Sequence, residues 1–503
     1  MLFLLVLGIR TDASTISAFT VKAGGGGNFT TITACAAAAI AGGTCTVFAG
    51  TYAGWTQLVS GIPGLPITFT VNPGDTVTLT SAIGASNTSY VTIHGFTGVI
   101  INGNNATQHW IIDGNTMSGT NVFHILDGQG VGGSDNVFSN NTVNVGISSS
   151  RNPAVYVYGD RNRFENNTIF NGSGDCFDLG GANLVVRGNY CHDMNGSSGE
   201  HIDFIQIIGG GTSPTLSFSL IEGNINQNCI NDGGNCHGFA IIRTGSGPVA
   251  DTNIIRFNYA QNIDGDCINF GGVGDNVPNN SAYNNTCASG HLASYNESFD
   301  SVQGTTPNTT VLNNIAYNVQ AGGQFPFGAN LENGNLAFTT SYSGTWSSPY
   351  SGETTYAALH NKNPLFANYP TDASLQAGSP AIGAGVALTA VAAGDSGSGT
   401  TLVVNNAHVF QPGWAGVLAD WIRVGSSTAS PTVQIASINY NTNTITLVSS
   451  ISRSAGSPIY LYKNSKGTVV LNNNNPDVGA YQTGTQAQGP PPNAPSSLQA
   501  IVN

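Results

Sequence analysis

The sequence predicts an all-β fold, a parallel β-helix in which coils of strands stack along one axis. Three observations lead to it: a repeated Asn motif, apolar residues at alternate positions after each Asn, and a composition poor in helix formers. Of 503 residues, 66 are Gly and only 8% are charged, against about 25% charged in typical soluble proteins. Asn, Ser and Thr stand where Lys and Glu are usual, and they favour turns over helix interiors.

The repeat consists of short segments such as VFSNNTV, RFENNTI and LIEGNIN, each with an Asn at the same place. Successive spacings of 26, 26, 22, 35, 34, 27 and 29 residues fit one coil with loops of variable length. Apolar pairs such as Phe177 and Leu179 follow with the period of a β-strand. Coils of this kind bury a core only by stacking, at roughly 4.8 Å per strand. The aligned residues are Asn115, Asn141, Asn167, Asn189, Asn224, Asn258, Asn285 and Asn314.

We assign these Asn residues a structural role. At an inward bend of each coil, stacked amides hydrogen-bond along the axis, and Asn tolerates the left-handed backbone conformation. They are therefore not candidates for sugar binding.

Both ends of the predicted solenoid carry a family resemblance. Residues 19–52, FTVKAGGGGNFTTITACAAAAIAGGTCTVFAGTY, resemble the opening of pectate-lyase-like right-handed parallel β-helix proteins. Residues 363–385, NPLFANYPTDASLQAGSPAIGAG, and residues 476–482, PDVGAYQ, are similar to the closing strands of that family. The resemblance implies a right-handed β-helix over residues 19–385, an N-terminal capping helix within TACAAAAIAGG, and a closing strand within residues 468–485. The superfamily includes polysaccharide lyases, glycoside hydrolases, epimerases and non-catalytic surface proteins.

Three other parts of the chain differ in character from the repeats. Residues 386–467 contain short strands such as TLVV, NTITLV and PIYLY between Gly, Ser and Asn, which predicts a small all-β insertion. Residues 1–18 are interpreted as a residual signal peptide and lead-in, with an apolar run from Leu2 to Leu7 and cleavage near Ala13. Residues 486–503 are interpreted as a Pro-rich linker and the start of a missing module.

The chain is expected to be secreted or to lie at the cell surface. Eight Cys residues, eleven N-x-[ST] triplets and the apolar start suit an oxidising, extracellular compartment. Chance in an Asn-rich chain explains the triplets equally well. The net charge of -13 and the pI of 4.8 argue against a nucleic-acid partner. After the N-terminal apolar run, the sequence has no stretch of 18 apolar residues, so no membrane span is expected there.

The cysteines provide an independent check on how the coils align. Cys176 lies nine residues after Asn167 and Cys191 two after Asn189, and Cys267 and Cys287 repeat this placement relative to Asn258 and Asn285. We therefore predict disulfides Cys176–Cys191 and Cys267–Cys287 across neighbouring turns, with local pairs Cys35–Cys45 and Cys229–Cys236. Zinc is disfavoured because no two pairs share a compact ligand spacing.

Charged residues gather in residues 174–209, GDCFDLGGANLVVRGNYCHDMNGSSGEHIDFIQIIG, within a chain that hardly uses charge elsewhere. If Phe177 and Leu179 face the core, Asp178 faces solvent. By the same rule His201 and Asp203 face solvent when Ile202 and Phe204 face the core. We therefore expect Asp178 and Asp203 in one outward column, about one strand spacing apart. Asn269 continues that column, after Ala240.

Two kinds of enzyme use such a patch. A polysaccharide lyase needs a cation or amide groups for the substrate carboxylate and a base for the C5 proton. In that role Asp178 and Asp203 are expected to bind Ca²⁺, with His201 or Arg243 as the base. A glycoside hydrolase needs an acid and a base or nucleophile about 5–9.5 Å apart, which Asp175, Asp178 and Asp203 supply. The predicted substrate-binding residues are Gln206, His237 and Asn269.

No site residue can be transferred from the resemblance. Pectate lyases use Arg or Lys as base, and only Arg187 and Arg243 lie near the patch. GDC stands where polygalacturonase-like relatives have two adjacent Asp residues. Two hypotheses stay open: a secreted carbohydrate-active enzyme, lyase or hydrolase, acting on an acidic polysaccharide, or a non-catalytic surface, adhesin or filament protein built on a rigid β-solenoid. In the second, SGEHIDFIQ is an ordinary loop-to-strand junction.

Overall fold

A computed structural model describes the chain in segments. They are residues 17–85, 87–104, 106–125, 133–147, 152–196, 202–208, 217–231, 236–238, 240–243, 250–263, 265, 267–270, 277–288, 299–300, 308–318, 331–338, 353–414 and 416–484.

The described residues form a right-handed parallel β-helix, as the sequence predicts. Each coil contributes a strand to a first, a second and a third sheet in turn, and pairing within these sheets is parallel throughout. Between Arg163 and Gly180, for example, the chain passes through all three sheets once. The three sheets form the walls of the solenoid, and alternate residues of each strand point into a continuous apolar core.

The first sheet has 13 described strands: Ala18–Val21, Thr44–Val47, Ile67–Val71, Val91–His94, Ile111–Asp113, Val137–Ser139, Arg163–Glu165, Val185–Arg187, Leu220–Glu222, Ile254–Arg256, Ser281–Tyr283, Thr310–Leu312 and Leu331–Asn333. The second has nine: Thr116–Ser118, Thr142–Gly146, Thr168–Gly172, Tyr190–Gly196, Ile225–Asn231, Tyr259–Ile263, Thr286–Ala288, Ile315–Tyr317 and Leu336–Phe338. The third has ten: Thr56–Gln57, Ile83–Ala85, Ile101–Gly103, Phe123–Ile125, Val155–Tyr158, Phe177–Gly180, Ile205–Ile208, Ala240–Arg243, Ile268–Phe270 and Phe299–Asp300.

Three short two-stranded pairings complete the solenoid. They are Gly50–Tyr52 with Val77–Leu79, Ile202–Asp203 with Cys236–His237, and the antiparallel pair Phe366–Asn368 with Asp372–Leu375.

An α-helix, Ile32–Ala38, covers the N-terminal end, which confirms the predicted capping helix. The Thr31 side chain accepts a hydrogen bond from the backbone N–H of Ala34 and so caps the helix. The helix buries Ile32, Cys35 and Ala36 against the first coil. A short helix, Tyr356–Leu359, lies beside the last described strand of the second sheet. No helix among the described residues is long and apolar enough to cross a membrane.

The predicted Asn ladder is present and continues to Asn335, which sequence reasoning missed. Each amide Nδ2 donates to the Oδ1 of the Asn in the next coil at 2.9–3.1 Å. The left-handed backbone conformation that we expected at the ladder Asn residues lies one residue earlier. The residue before each ladder Asn is the left-handed one, for example Asn166 (φ 54°) before Asn167 and Gly188 (φ 67°) before Asn189.

A second ladder flanks the opposite end of the first sheet. Asn136 donates to Asn162, and Asn253 to Asn280, in the same manner at 2.9–3.1 Å. Ser219 occupies this place in one coil, where its backbone N–H donates to Asn253. Sequence reasoning missed this second ladder because no constant sequence pattern follows its residues.

The four disulfides form as predicted: Cys35–Cys45, Cys176–Cys191, Cys229–Cys236 and Cys267–Cys287. All eight cysteines are buried within the solenoid core. The disulfides therefore link neighbouring parts of the solenoid wall on its core side, not on its outer faces.

The predicted all-β insertion is a six-stranded antiparallel sheet with the strand order Thr389–Ala390, Pro458–Lys463, Trp421–Val424, Thr432–Asn439, Thr444–Arg453, Gly397–Val403. A single 3₁₀ turn, Tyr440–Thr442, joins two of these strands. The insertion packs its apolar residues against the outer face of the first sheet, at Val185, Leu220 and Ile254.

A buried ion network joins the insertion to the first sheet. The guanidinium of Arg256, which is fully buried, binds Glu222 at 2.6 Å and Asp420 through two hydrogen bonds of 2.8 Å. Burial favours the neutral form of Glu222, but Arg256, helped by Ser465 and Arg187, outweighs it and holds the pKa of Glu222 below its usual range. At Asp420 burial prevails, and the pKa is raised. The charged residues at this interface therefore help to hold the insertion against the first sheet.

Candidate functional site

Asp178 lies in a polar column on the outer face of the third sheet, where the sequence placed it. Its strand pairs Asp178 with Tyr156 on one side and Gln206 on the other. Following the pairing in both directions gives the described column: Thr56, Gly84, Asn102, His124, Tyr156, Asp178, Gln206, Ile241, Asn269 and Asp300.

The expected place of Asp203 beside Asp178 is wrong. Asp203 is fully buried, and its backbone N–H donates to Oδ1 of Asp175 at 2.7 Å. Its carbonyl accepts from Cys176, so it aligns with the start of the Asp178 strand. The alternation fails because Phe204 and Ile205 are both buried, which separates Ile202–Asp203 from the strand that follows. Gln206 takes the expected place of Asp203.

The expected register of Ala240 is also wrong. Ile241, and not Ala240, pairs with Gln206 and Asn269, whereas Ala240 pairs with Ile268. Asn269 remains in the Asp178 column as predicted, and it is buried.

Asp178 is held in an environment that favours its protonated form. Burial raises the pKa of Asp178 to about 7, and the negative charge of Asp203 acts in the same direction. A hydrogen bond of 3.1 Å from the hydroxyl of Tyr158 to Oδ1 acts in the opposite direction. Although Asp203 is not its neighbour in the column, the two carboxyl groups are therefore close enough to interact. At neutral pH, Asp178 is poised both to donate and to accept a proton.

Three aromatic residues line the column on one side of Asp178, and sequence reasoning missed all three. His124 stacks on Tyr156 with ring centroids 5.5 Å apart, and Tyr156 meets Tyr158 edge-on at 5.5 Å. Burial lowers the pKa of His124, and burial together with the charge of Asp178 raises the pKa of Tyr158. The signal was the strand VYVY at residues 155–158, whose two outward positions are both Tyr.

The remaining predicted site residues are less well placed. Gln206 is partly exposed next to Asp178. His237 is buried and pairs with Asp203 in the short two-stranded sheet, outside the Asp178 column. The backbone of Arg243 pairs with Ile208, whereas its side chain lies outside the described part of the chain, as does all of His201.

The Ca²⁺ site stays a prediction. Among the described residues, no group of three or more His, Cys, Asp or Glu side chains is arranged to hold a metal ion. Asp178 and Asp203 alone offer few of the six to eight oxygen ligands that Ca²⁺ takes. A carboxyl with a pKa near 7 is also a weak ligand at neutral pH, since it is protonated about half of the time.

His192 and Asp193, from the same acidic stretch of sequence, lie elsewhere. They belong to the second sheet, where Nδ1 of His192 and Oδ2 of Asp193 are 2.7 Å apart. Asp193 also accepts from Asn228 in the next coil, and both belong to a row of left-handed Asn and Asp residues that lies within the strands of this sheet. These two residues are therefore part of the wall and not of the Asp178 column.

The chain is similar in fold to several proteins of known structure. No protein-family model and no curated protein sequence matches the chain. Among solved structures, it is similar to XylC in complex with xylose (10% identity, 91% of this chain and 99% of that chain, TM-score 0.45). It is also similar to pectate lyase Pel9A (15%, 70% and 86%, 0.30) and to PfbA, a surface adhesin of Streptococcus pneumoniae (10%, 61% and 85%, 0.35). Similarity at this level concerns the fold alone.

Proposed function

We propose that the protein is an extracellular carbohydrate-active enzyme that binds a polysaccharide along the outer face of the third sheet and cleaves it by proton transfer at Asp178. The observation that carries the proposal is the pKa of about 7 of a partly exposed carboxyl in a column of polar and aromatic side chains. Strongly perturbed carboxyl groups in such places are typical of general acids and bases. The four disulfides support an oxidising, extracellular compartment.

Cleavage by hydrolysis and cleavage by elimination both need this proton transfer. In hydrolysis, protonated Asp178 donates to the leaving glycosidic oxygen as its bond to the anomeric carbon breaks, and water adds to that carbon and gives up a proton. In elimination, ionised Asp178 accepts the C5 proton of a uronic acid, the C4–O bond breaks as a double bond forms between C4 and C5, and the leaving oxygen takes a proton from solvent. An acidic substrate brings negative charge towards Asp175, Asp178 and Asp203, so the same assay with a chelator tests whether a cation such as Ca²⁺ takes part in binding.

The test incubates the protein with a panel of neutral and acidic polysaccharides, with and without chelator. Ultraviolet absorbance detects the unsaturated products of elimination, and new reducing ends detect both reactions. Asp178→Asn is expected to lower the rate at least 100-fold. Asp372→Asn is the matched control: this exposed Asp lies outside the third sheet and accepts from the backbone N–H of Ser374 through Oδ1, a bond that Asn preserves. Equal rates for the two variants would contradict the proposal.

A non-catalytic rod is the second candidate. The two Asn ladders and the internal disulfides support it, because they stiffen the solenoid along its axis without forming any site. Binding of a polysaccharide without new reducing ends or unsaturated products would favour a surface or adhesin role.

A further inference from the structure

Tyr158 and Gly180 are neighbours across two strands of the third sheet, two residues beyond the pair Tyr156 and Asp178. Both positions face outward. Gly180 has a backbone conformation that other residues adopt, so its lack of a side chain is not needed for the chain path. A Cβ atom at Gly180 would instead overlap the Tyr158 ring. The ring therefore occupies the space that a side chain at residue 180 would fill.

This placement brings the Tyr158 hydroxyl to Asp178. With its ring across the neighbouring strand, Tyr158 donates to Oδ1 of Asp178 at 3.1 Å. The edge-on contact with Tyr156, itself stacked on His124, supports the ring from the other side. Tyr158 is buried, and its raised pKa keeps the hydroxyl protonated at all ordinary pH values. The hydroxyl therefore keeps its proton and lies within hydrogen-bond distance of one oxygen of the carboxyl.

We propose that Tyr158, seated in the space left by Gly180, is a positioning residue that fixes Oδ1 of Asp178 and leaves Oδ2 to carry the transferred proton. The role of Oδ2 rests on the proposed function, whereas the effect of Tyr158 on the carboxyl does not. Asp203 and Tyr158 are the described titratable groups that shift the pKa of Asp178, and the charge of Asp178 in turn raises the pKa of Tyr156. Tyr158 is the one that favours the ionised form.

The experiment follows the carboxyl of Asp178 by carbon-13 NMR in the full-length protein with labelled aspartate, assigned by its loss in Asp178→Asn. Tyr158→Phe removes only the hydroxyl and is expected to raise the midpoint of the titration by about one pH unit. Tyr190→Phe is the matched control, since its hydroxyl donates to Gln227 on the second sheet at 2.7 Å, and it is expected to leave the midpoint unchanged.

Gly180→Ala tests whether the space at Gly180 is needed to place the Tyr158 ring. It keeps the Tyr158 hydroxyl but displaces the ring, so it is expected to shift the midpoint in the same direction as Tyr158→Phe. Added to Tyr158→Ala, it is expected to shift nothing further, because the ring is already gone. An unchanged midpoint in Tyr158→Phe overturns the proposal, and an effect of Gly180→Ala that persists without the Tyr158 ring overturns the part assigned to Gly180.

Activity separates this inference from the proposed function. If cleavage is found, the pH profile of Tyr158→Phe is expected to move with the NMR midpoint while the Tyr190→Phe profile stays in place. A shifted midpoint in a protein that cleaves no polysaccharide would support the positioning role and contradict the proposed function. Cleavage that depends on Asp178 but keeps its pH profile in Tyr158→Phe would contradict the positioning role alone.

Discussion

The outer faces of the first and third sheets both hold carboxyl groups away from water, and they do so in opposite electrostatic surroundings. On the first sheet, Glu222 meets the guanidinium of Arg256, and the insertion covers the pair. On the third sheet, the charge that acts on Asp178 is another carboxylate, Asp203. A paired charge under a second layer of protein stabilises the fold, whereas a partly exposed carboxyl that is kept partly protonated is suited to chemistry.

The largest expected effect comes from breaking the ion network of the first sheet. Arg256→Ala leaves Glu222 and Asp420 buried without their cation, so we expect the free energy of unfolding to fall by about 3–5 kcal/mol. Urea-induced unfolding measures this. A loss below about 1 kcal/mol would show that the network is not important for attachment of the insertion.

On the third sheet, the expected effect is a dependence of stability on pH. The pKa of Asp178 is raised from 3.8 to about 7 in the folded protein. Between these values the folded protein keeps a proton that the unfolded chain has released, so this group destabilises the fold as pH rises from about 4 to 7. We expect wild type to lose on the order of 3 kcal/mol relative to Asp178→Asn across this range. A difference in the free energy of unfolding between the two proteins that stays the same at every pH would contradict this expectation.

The Asn ladder lies between the first and second sheets, away from the Asp178 column, and its removal sharpens the comparison. In Asn189→Ala, the backbone N–H and Nδ2 of Asn167 lose their shared acceptor inside the wall. We expect a loss of about 2–3 kcal/mol in the free energy of unfolding. The titration of Asp178 is expected to stay unchanged, because the ladder lies at the bend between the other two sheets. A shifted midpoint would show that the two regions are coupled.

The smallest effect is expected at an exposed ion pair just before two strands of the first sheet. Arg161 binds Asp135 at 2.8 Å, but the Arg161 side chain is 43% exposed. We expect Arg161→Ala to cost less than about 1 kcal/mol, and less still at high salt. A cost similar to that of Arg256→Ala would mean that pairing alone, without burial, stabilises this face.

The sequence was sufficient for what repeats in every coil. The ladder from Asn115 to Asn314 set the coil boundaries, and the repeated offsets of Cys176 and Cys267 from ladder residues led to the correct disulfides. Each of these features recurs, so one coil checks another. The resemblance of residues 19–52 added the capping helix.

The site was harder to predict because it depends on departures from the repeat. Strict alternation through Ile202 and Phe204 placed Asp203 outward, but two consecutive buried residues, Phe204 and Ile205, shift the strand and put Gln206 beside Asp178. Tyr158 was missed for a different reason. Its role comes from the empty position at Gly180 in the next coil, and a single strand read by itself does not show that contact.

The most direct test of the account is the pH titration of the Asp178 carboxyl itself, followed by carbon-13 NMR and identified by its absence in Asp178→Asn. The account predicts a midpoint near pH 7. A midpoint below about pH 5, within the ordinary range of aspartate in folded proteins, would contradict it.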